Sequence, residues 1–471
     1  MKLYNKGISR RQFISTAATS AAVFSIVPRY VLGGPGNTPP SDKINVAIIG
    51  TGGQGTVNLK TLLPMLDVQV VCVCDVYESC DYSEFYFGGM GGREPAKKLA
   101  EEHYAQNKPS GNYKGVDAYK DFRVMLKERD DIDAVLVATP DHFHAAASMM
   151  AIKMGKHVYC EKPLTHTVYE ARQLKLAAQK YKVATQMGNQ GQASEGTRLL
   201  SEWIWDGAIG PVREVLAWTN RPAGMWEHGV ERPTETPPVP DGLDWDMWVG
   251  LAPYRPYHPA YMPFKWRGWC DFGTGSLGDM GCHVLDPIFR ALKLGYPTSI
   301  SVESTPFNRE SYPKAQTVYY EFPARGDMPP VKLTWYDGGR QPERPEELEE
   351  GRNMPDSGTI LIGDKGKIMN DEYSGTPRII PESKMRAYTR PEKTLPRSPG
   401  HHNEWITACK GGEPAGSNFD FASTLAEAVL LGNVALQAGK ELSWDGENLK
   451  VTNDSQANDY LHRTYREGWT L

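Results

Sequence analysis

The sequence predicts an α/β fold, with a doubly wound parallel sheet in the first part of the chain and a second α/β domain after it. An apolar run, Ile44–Ile49, ends in closely spaced glycines, and short apolar runs then alternate with helical segments, as they do in parallel sheets. About 430 residues follow an atypical N-terminal stretch, which suits two domains. We therefore divide the chain into an N-terminal segment, a first domain and a second domain at residues 1–41, 42–184 and 185–471.

The glycines Gly50, Gly52 and Gly55 have the spacing GxGxxG and enclose Gly53 and Gln54. The first allows a sharp turn off the strand, the second allows the backbone to approach a pyrophosphate, and the third allows the next helix to pack closely. Unpaired N–H groups at the start of that helix favour phosphates. The pattern predicts that all five residues contact a dinucleotide, and an ordinary glycine turn is the alternative.

A second apolar run, 68–73, leads to Asp75, twenty residues after Gly55. An acidic residue at this distance accepts hydrogen bonds from the adenosine ribose hydroxyls and repels a 2′-phosphate. The spacing therefore predicts NAD as the cofactor, with NADP less favoured. The alternative is that Asp75 is only a loop carboxylate.

Residues 1–41 do not belong to this fold. The stretch 9–14 has the twin-arginine pattern with Arg10 and Arg11, and the apolar, small-residue run 15–28 follows it. That run is too short and too rich in alanine for a permanent membrane anchor. We expect export of the folded protein to the periplasm by the twin-arginine route, with a tightly bound, recycled cofactor. A chance arginine pair before a disordered tail is the alternative.

The charge of the chain narrows the range of partners. The segment 1–41 carries five basic residues and no acidic residue, so the net charge changes from −5 for the whole chain to −10 without it. No block of basic residues follows. Such a surface disfavours nucleic acid and anionic membranes. The seven cysteines have no regular spacing, so their pattern indicates neither a disulfide framework nor a metal site.

The remaining elements of the first domain alternate regularly. The pattern predicts buried strands at 134–138 and 158–160 and helices at 95–106, 119–127 and 145–154. Ligands of doubly wound sheets bind beyond the carboxyl ends of the strands, so we expect chemistry at Pro140 and Lys162. The glycine-rich stretch 88–92 is predicted to be a mobile linker, and a cover over the cofactor is the alternative.

Several motifs occur in the order typical of one family. The strand followed by GTGGQG, the motif ATPDHFH at 138–144 and the run GKHVYCEKPL at 155–164 resemble the Gfo/Idh/MocA family, the relatives of glucose–fructose oxidoreductase and inositol dehydrogenase. The run GSLGDMGCHVLD at 275–286 is similar to that family's D-x-x-x-H motif. The resemblance implies an N-terminal Rossmann domain and a C-terminal α/β domain with an open, mostly antiparallel or mixed sheet. It also implies a homo-oligomer, a dimer or a tetramer, because that sheet commonly forms the interface.

The resemblance assigns catalysis to Lys162, Asp279 and His283. Oxidation of a secondary alcohol requires a base for the hydroxyl proton while hydride leaves the same carbon, and either Lys162 or His283 suits that role. Asp279 precedes His283 by four residues, which places both on one face if the segment is helical. Asp286-Pro287 is also a favourable helix start. If the helix begins there instead, the two site residues lie on a loop.

Further site residues follow from their positions in these motifs. Cofactor contacts are predicted for Thr139, Pro140, His144, Glu161, Lys162 and Asn189, and substrate contacts for Lys162, Gln190, Trp266, Arg267, Asp279 and His283. His142 and His144 together would supply only two metal ligands, with no clear third. No metal is predicted.

The segment 221–275 is long, rich in proline and aromatic residues and without a steady period. Eight of the twelve tryptophans lie between 203 and 269. A loop of this length in a compact domain is usually functional or disordered, and its aromatic content argues against disorder. Flat aromatic faces suit sugar rings, so we expect about half of these tryptophans to serve the substrate and the others to pin the segment to the core. Strands are predicted at 212–219, 315–322, 331–336 and 359–369, the last being a hairpin that turns at 363–366.

Three functions fit these residues. The favoured one is an exported NAD-dependent oxidoreductase that acts on a secondary ring hydroxyl of a sugar or glycoside. The second is an NAD-dependent glycoside hydrolase that oxidises, eliminates, adds water and reduces back. It needs a further acid or base, for which Glu227, His228 and Tyr261 are available. The third is a carbohydrate-binding protein without activity, and the presence of all three catalytic residues argues against it.

Overall fold

The computed structural model describes residues 42–85, 87–106 and 111–471, so the predicted twin-arginine segment lies outside the described residues. Residues Ile44–Leu471 form one compact unit. Its first strands are β1 (Ile44–Ile49), β2 (Val68–Cys74), β3 (Cys80–Asp81), β4 (Met90–Gly91), β5 (Asp117–Tyr119), β6 (Ala134–Val137), β7 (His157–Cys160) and β8 (Thr185–Met187). Six of them form a sheet in the order β5-β2-β1-β6-β7-β8, in which every pair is parallel. The strand order reverses between β1 and β6, which is where doubly wound sheets bind ligands.

Helices cover both faces of this sheet. They are α1 (Gly53–Leu62), α2 (Arg93–Ala105), α3 (Phe122–Glu128), α4 (Asp141–Lys153) and α5 (Val168–Tyr181). Val46 and Ile48 of β1 share a core with residues of α1 and α2, whereas Ala47 and Ile49 share a core with residues of α3, α4 and α5. Because successive side chains of a strand point to opposite faces, the sheet is doubly wound, as predicted.

Three of these helices begin elsewhere than predicted. The helix predicted at 95–106 begins two residues earlier, at Arg93. The helix predicted at 119–127 begins at Phe122, because Asp121 caps it by accepting a hydrogen bond from the Arg123 N–H and Tyr119 pairs with β2. The helix predicted from residue 145 begins at Asp141, where an acidic residue in the first turn favours a helix start.

The second sheet is mixed and mostly antiparallel, as predicted. Its strands are β9 (Val212–Thr219), β10 (Ser299–Ser304), β11 (Gln316–Phe322), β12 (Val331–Tyr336), β13 (Ser357–Gly363), β14 (Gly366–Asp371), β15 (Arg378–Ile380), β16 (Leu442–Asp445) and β17 (Lys450–Val451). The order is β15-β14-β13-β9-β12-β11-β10-β16-β17. The β9–β12 pair is parallel and the other pairs are antiparallel. Gly363 pairs with Gly366, which confirms the predicted hairpin.

The remaining helices are α6 (Glu195–Trp205), α7 (Trp245–Val249), α8 (Gly275–Val284), α9 (Asp286–Ala291), α10 (Glu382–Ala387), α11 (His401–Cys409) and α12 (Phe419–Ala438). By length and composition α12 could cross a membrane, but 83% of its apolar window is buried within the protein. It packs against α5, α8 and β10. It is therefore a core helix that joins the two sheets.

The contact between α5 and α12 carries a buried ion pair. Arg172 Nε and Nη2 donate to the two carboxylate oxygens of Glu427 at 2.8 and 2.7 Å, and the Glu427 side chain is 0% exposed.

The predicted domain boundary at 184/185 falls just before β8, which pairs with β7. The first sheet thus continues three residues beyond that boundary.

An aromatic core holds the segment 221–275. Its buried members are Leu243, Trp245, Trp248, Val249, Ala252, Tyr261, Met262, Trp266, Trp269 and Phe272. Indole N–H groups tie it to the backbone: Trp245 donates to the Arg255 carbonyl and Trp269 to the Ala260 carbonyl, both at 2.8 Å. Of the eight tryptophans between 203 and 269, Trp248 and Trp266 line the cavity described below. More than the expected half of these tryptophans therefore pack within the protein instead of lining the cavity.

Candidate active site

A cavity of about 380 Å³ opens beyond the carboxyl ends of β1, β2, β6 and β7 and reaches α8. Its volume is that of a small-molecule site. Residues of the first sheet's connections and of the second domain line it together, so that a ligand there would touch both. The cavity lies at the reversal of strand order, where the fold is expected to bind its ligand.

The glycine loop forms one wall, lined by Gly50, Gly52, Gly53 and Gln54. Gly50 has a φ of +85°, a conformation that residues with a side chain rarely adopt. Gly55 lies behind the loop, and a Cβ on it would collide with the Gly50 carbonyl oxygen. A tight turn with a closely packed helix start is what a pyrophosphate requires, so these residues fit a dinucleotide.

Asp75 follows β2 and lines the same cavity. Its Oδ2 accepts a hydrogen bond from the Thr51 N–H and its Oδ1 from the Tyr77 N–H, both at 2.8 Å. Burial raises the pKa of Asp75 above its ordinary value. Two backbone donors thus fix the carboxyl group, and each oxygen can still accept a bond from a ribose hydroxyl.

The hairpin formed by β3 and β4 covers the glycine loop. A Cβ on Gly52 would collide with Tyr82 Oη, and one on Gly53 would collide with the Phe87 ring. The stretch 88–92, predicted to be a mobile linker, contains β4 and belongs to this cover. The prediction of a linker was wrong, because the pairing of Met90–Gly91 with Cys80–Asp81 leaves no pattern in a glycine-rich sequence.

Truncation of this cover is expected to speed the exchange of the dinucleotide. In Phe87→Ala the ring that lies against Gly53 is absent, and we expect NAD to dissociate about tenfold faster, which corresponds to ~1.4 kcal/mol. Exchange of bound NAD for labelled NAD measures the rate. Tyr254→Ala is the control, since that side chain is 59% exposed on the surface. Equal rates for Phe87→Ala and wild type would show that the hairpin does not limit release.

Lys162 follows β7, and α8 holds its ammonium group. Nζ donates to Asp279 Oδ1 at 2.8 Å and to the Asp279 carbonyl oxygen at 3.1 Å. The side chains of Lys162 and Asp279 are 14% and 11% exposed. The ammonium group is therefore fixed at the cavity wall, with part of its surface open to a ligand.

Asp279 lies in the middle of α8 and also accepts a hydrogen bond from Arg267 Nε at 3.2 Å. Burial acts to raise the pKa of Asp279, but Lys162 and then Arg267 outweigh it, so the pKa lies below its ordinary value. The Arg267 guanidinium stacks on Trp266 and Phe264, at 4.2 and 4.0 Å from the ring centroids. One ionised carboxylate thus holds two cations.

His283 lies one turn after Asp279 on the same face of α8. A separate helix, α9, begins at Asp286. The helix start at Asp286-Pro287 is therefore present, and Asp279 and His283 nevertheless lie on a helix, α8. Burial, and then Lys162, lowers the pKa of His283 well below its ordinary value, which leaves the imidazole neutral at neutral pH. Among the described residues His283 Nδ1 has no hydrogen-bond partner. The ring meets Tyr373 edge-on, with centroids 5.1 Å apart.

Most other predicted site residues share the cavity. Thr139, Pro140, His144, Glu161, Gln190, Trp266 and Arg267 line it. The His144 ring nitrogens contact the carbonyl oxygens of Pro163 and Thr139 at 2.7 and 2.9 Å, which ties two strand ends together. Asn189 lies outside the lining, because its side chain is buried and its Oδ1 accepts a hydrogen bond from Ser417 Oγ at 2.7 Å. Gly55 lies outside it as well.

Sequence reasoning missed Asp141, Arg221 and Tyr373, which line the cavity. Asp141 accepts a hydrogen bond from Thr274 Oγ1 at 2.6 Å, and burial raises the pKa of Asp141 to about 7. Its position directly after Pro140, at a strand end, was a usable signal. Arg221 and Tyr373 lie in connections of the second domain, where no motif marks them.

The raised pKa of Asp141 makes stability depend on pH. The pKa is about 7 in the fold against 3.8 ordinarily, so the folded state binds the extra proton. The contribution of Asp141 to the free energy of unfolding is therefore complete below pH 3.8. It falls as the pH rises towards 7, by at most ~4 kcal/mol. We expect Asp141→Asn to lack this fall in urea unfolding at pH 5 and pH 8. Asp364→Asn, at an exposed side chain, should leave it unchanged, and an identical fall in Asp141→Asn would contradict the assignment.

The three residues that were available as the further acid or base of a hydrolase all lie outside the cavity lining. His228 is buried and its Nε2 accepts a hydrogen bond from the Trp226 indole N–H at 3.0 Å. Tyr261 belongs to the aromatic core, and Glu227 is exposed.

The His142 ring nitrogens contact the Phe272 and Trp248 carbonyl oxygens, and the described part of the chain contains no cluster of three metal-ligating side chains.

A doubly wound sheet with a dinucleotide loop, joined to a mixed-sheet domain across a lysine–aspartate–histidine cavity, defines the class of nicotinamide-dependent oxidoreductases. Residues 224–471 match a family model described as the oxidoreductase family, C-terminal alpha/beta domain. Residues 92–189 match the NAD-binding Rossmann fold of the same family. The chain belongs to the Gfo/Idh/MocA family.

Curated relatives share part of the chain. A glycosyl hydrolase family 109 protein of Shewanella pealeana is 30% identical over 182 residues, 36% of this chain and 36% of the relative. A levoglucosan dehydrogenase of Pseudarthrobacter phenanthrenivorans is 26% identical over 166 residues, 35% of this chain and 34% of the relative. The match therefore spans about a third of the length of these relatives.

Solved structures share the fold over most of the chain. The WlbA dehydrogenase from Bordetella pertussis, in complex with NADH and UDP-GlcNAcA, has a TM-score of 0.56 and 14% identity and covers 86% of this chain and 99% of its own. The aldose-aldose oxidoreductase from Caulobacter crescentus has a TM-score of 0.53 and 16% identity, with coverages of 85% and 100%. At these identities the similarity shows the fold alone.

Proposed function

We propose that this chain is an exported, NAD-dependent oxidoreductase that acts on a secondary ring hydroxyl of a sugar or glycoside and gives a keto sugar on oxidation. The carrying observation is the Lys162–Asp279 ion pair, 2.8 Å long, in one cavity with His283, the glycine loop and Asp75. A levoglucosan dehydrogenase and glycosyl hydrolase family 109 proteins among the relatives support a carbohydrate substrate.

The site residues divide the work of alcohol oxidation. A bound nicotinamide supplies the hydride acceptor. Lys162, fixed by Asp279, donates a hydrogen bond to the reacting oxygen and stabilises the negative charge that develops on it. His283, neutral at neutral pH, accepts the hydroxyl proton as the C–H bond breaks and the C=O bond forms. Reduction reverses these steps.

One feature of the site supports NAD as the cofactor, and a second supports its retention over many turnovers. The Asp75 carboxyl group, fixed by two backbone N–H groups, would repel a 2′-phosphate, which favours NAD over NADP. The hairpin against Gly52 and Gly53 covers the site of the pyrophosphate and slows the dissociation of the cofactor. A cofactor retained in this way is reoxidised by a second substrate instead of exchanging with a pool.

The function is tested on protein purified from its export route. The protein is denatured and the supernatant is assayed for released dinucleotide, while absorbance at the nicotinamide band of the folded protein is followed as glycosides are added. We expect bound NAD that a glycoside reduces. Protein that holds no dinucleotide and binds none when supplied would refute the proposal.

An NAD-dependent hydrolase is the second candidate, because relatives 29–32% identical carry the name glycosyl hydrolase family 109. Tyr373, beside His283 in the cavity, is available as the further acid or base that such a reaction needs. Release of aglycone from an aryl glycoside without any electron acceptor indicates the hydrolase. Turnover that depends on an external acceptor indicates the oxidoreductase.

Location and assembly complete the proposal. The twin-arginine pattern at Arg10 and Arg11 supports export to the periplasm, and replacement of both by lysine should retain the protein in the cytoplasm in cell fractionation. Exposed Tyr319, Glu321 and Lys332 on one face of the second sheet support a homo-oligomer through that face. Light scattering of the purified protein distinguishes dimer from tetramer.

A further inference from the structure

Arg221 is a cation of the cavity that the proposed chemistry does not use. It lies two residues after β9 and lines the cavity together with Lys162, Asp279 and His283. Its guanidinium contacts the thioether of Met225. In the described ranges 42–85, 87–106 and 111–471 it forms no ion pair within 4.0 Å.

The carboxylates nearby are already bonded to other groups. Asp279 Oδ1 accepts from Lys162 and from Arg267, and Arg221 acts on Asp279 only as a distant charge. Asp141 Oδ2 accepts from the Thr274 hydroxyl.

The carboxyl group of Glu161 is also bonded to another group. Its Oε1 accepts from the Asn58 amide at 2.8 Å, and its carboxyl group lies against Gly188. Asp75 is held at the opposite, adenosine end by Thr51 and Tyr77. The guanidinium of Arg221 is thus a partly buried positive charge for which no described residue supplies a carboxylate within ion-pair distance. Its fork of N–H donors matches an anionic oxygen pair.

We propose that Arg221 binds a carboxylate on the sugar, so that the substrate class is an acidic sugar such as a uronic acid or its glycoside. The inference rests on the proposed function and names the substrate class of the same site. Trp266 and Tyr373, which also line the cavity, offer flat faces for the sugar ring. The other source of anionic oxygen in this cavity is the pyrophosphate of the cofactor, whose expected place is the glycine loop.

Calorimetry on the NAD-loaded protein compares methyl β-glucuronide with methyl β-glucoside, which carries a neutral hydroxymethyl group in place of the carboxylate. We expect wild type to bind the glucuronide at least tenfold more tightly, because hydrogen bonds to a charged group contribute about 10- to 100-fold. Arg221→Met should lose most of this preference, and Arg221→Lys should recover part of it. Arg386→Met, at a side chain that is 80% exposed, should keep it.

Three results would overturn the assignment: equal affinity of wild type for the two glycosides, an unchanged preference in Arg221→Met, or loss of bound NAD from Arg221→Met, which would assign the residue to the pyrophosphate. Reduction of bound NAD, followed in the same samples, separates this inference from the proposed function. Reduction by both glycosides without a preference refutes the acidic substrate alone. Failure of every glycoside to reduce NAD refutes the oxidoreductase, while the calorimetric preference still decides the role of Arg221.

Discussion

Replacement of Lys162 by methionine is expected to lower the rate of sugar oxidation by about 10³-fold, the contribution of a positioned proton donor and charge at the reacting oxygen. The variant should still fold, because Asp279 keeps its hydrogen bond from Arg267. It should also keep its NAD, because the glycine loop and Asp75 are untouched. Single-turnover reduction of bound NAD measures the effect without interference from product release.

The matched control for this change is Lys98→Met. Lys98 is 76% exposed, 3.8 Å from Glu102 on α2 and outside the cavity lining, so the rate of this variant should equal that of wild type. A rate for Lys162→Met within threefold of wild type, with NAD retained, would contradict the role given to Lys162.

Replacement of Arg172 by methionine is expected to cost about 3–5 kcal/mol of the free energy of unfolding, because it leaves the carboxylate of Glu427 buried without its partner. The arginine also donates to the Gly446 carbonyl at 2.7 Å. The loss falls on the contact between α5 and α12, which joins the two sheets. Urea unfolding followed by circular dichroism measures it.

Arg213→Met is the control for this prediction. Arg213 pairs with Asp364 through two hydrogen bonds of 2.8 and 3.1 Å, but the side chains are 58% and 44% exposed, so its loss should cost less than about 1 kcal/mol. Adding Glu427→Leu to Arg172→Met should restore much of the stability, since the unpaired charge is then gone. Equal losses in Arg172→Met and Arg213→Met would show that burial does not govern this pair.

The parts of the fold that follow from local rules were predictable from the sequence. The apolar run Ile44–Ile49 became the central strand β1, and Gly363 and Gly366 closed the predicted hairpin. Side-chain alternation and turn chemistry act over a few residues, so a single sequence reveals them. Boundaries such as the start of α3 at Phe122 were missed, because the cap of Asp121 competes with a helical pattern that begins earlier.

The candidate site divides in the same way. The glycine loop, Asp75, Lys162, Asp279 and His283 were predictable, because each lies in a motif with fixed spacing or directly after a buried strand. The tryptophans of 221–275 were over-assigned to substrate, because an aromatic side chain that pins a loop has the same sequence signature as one that contacts a ligand.

By itself the sequence determined the alternation of the main strands and helices of the first sheet, the dinucleotide loop and the three catalytic candidates, since all of these depend on residues close together in the chain. The tertiary structure alone decided what the site contains besides them. Asp141, at the start of α4, and Arg221, after β9, line one cavity, and the hairpin of β3 and β4 lies on the glycine loop. Contacts between residues far apart in sequence leave no periodic pattern. They set both the burial that raises the pKa of Asp141 and the place of Arg221 in the cavity, without an ion pair to any described residue.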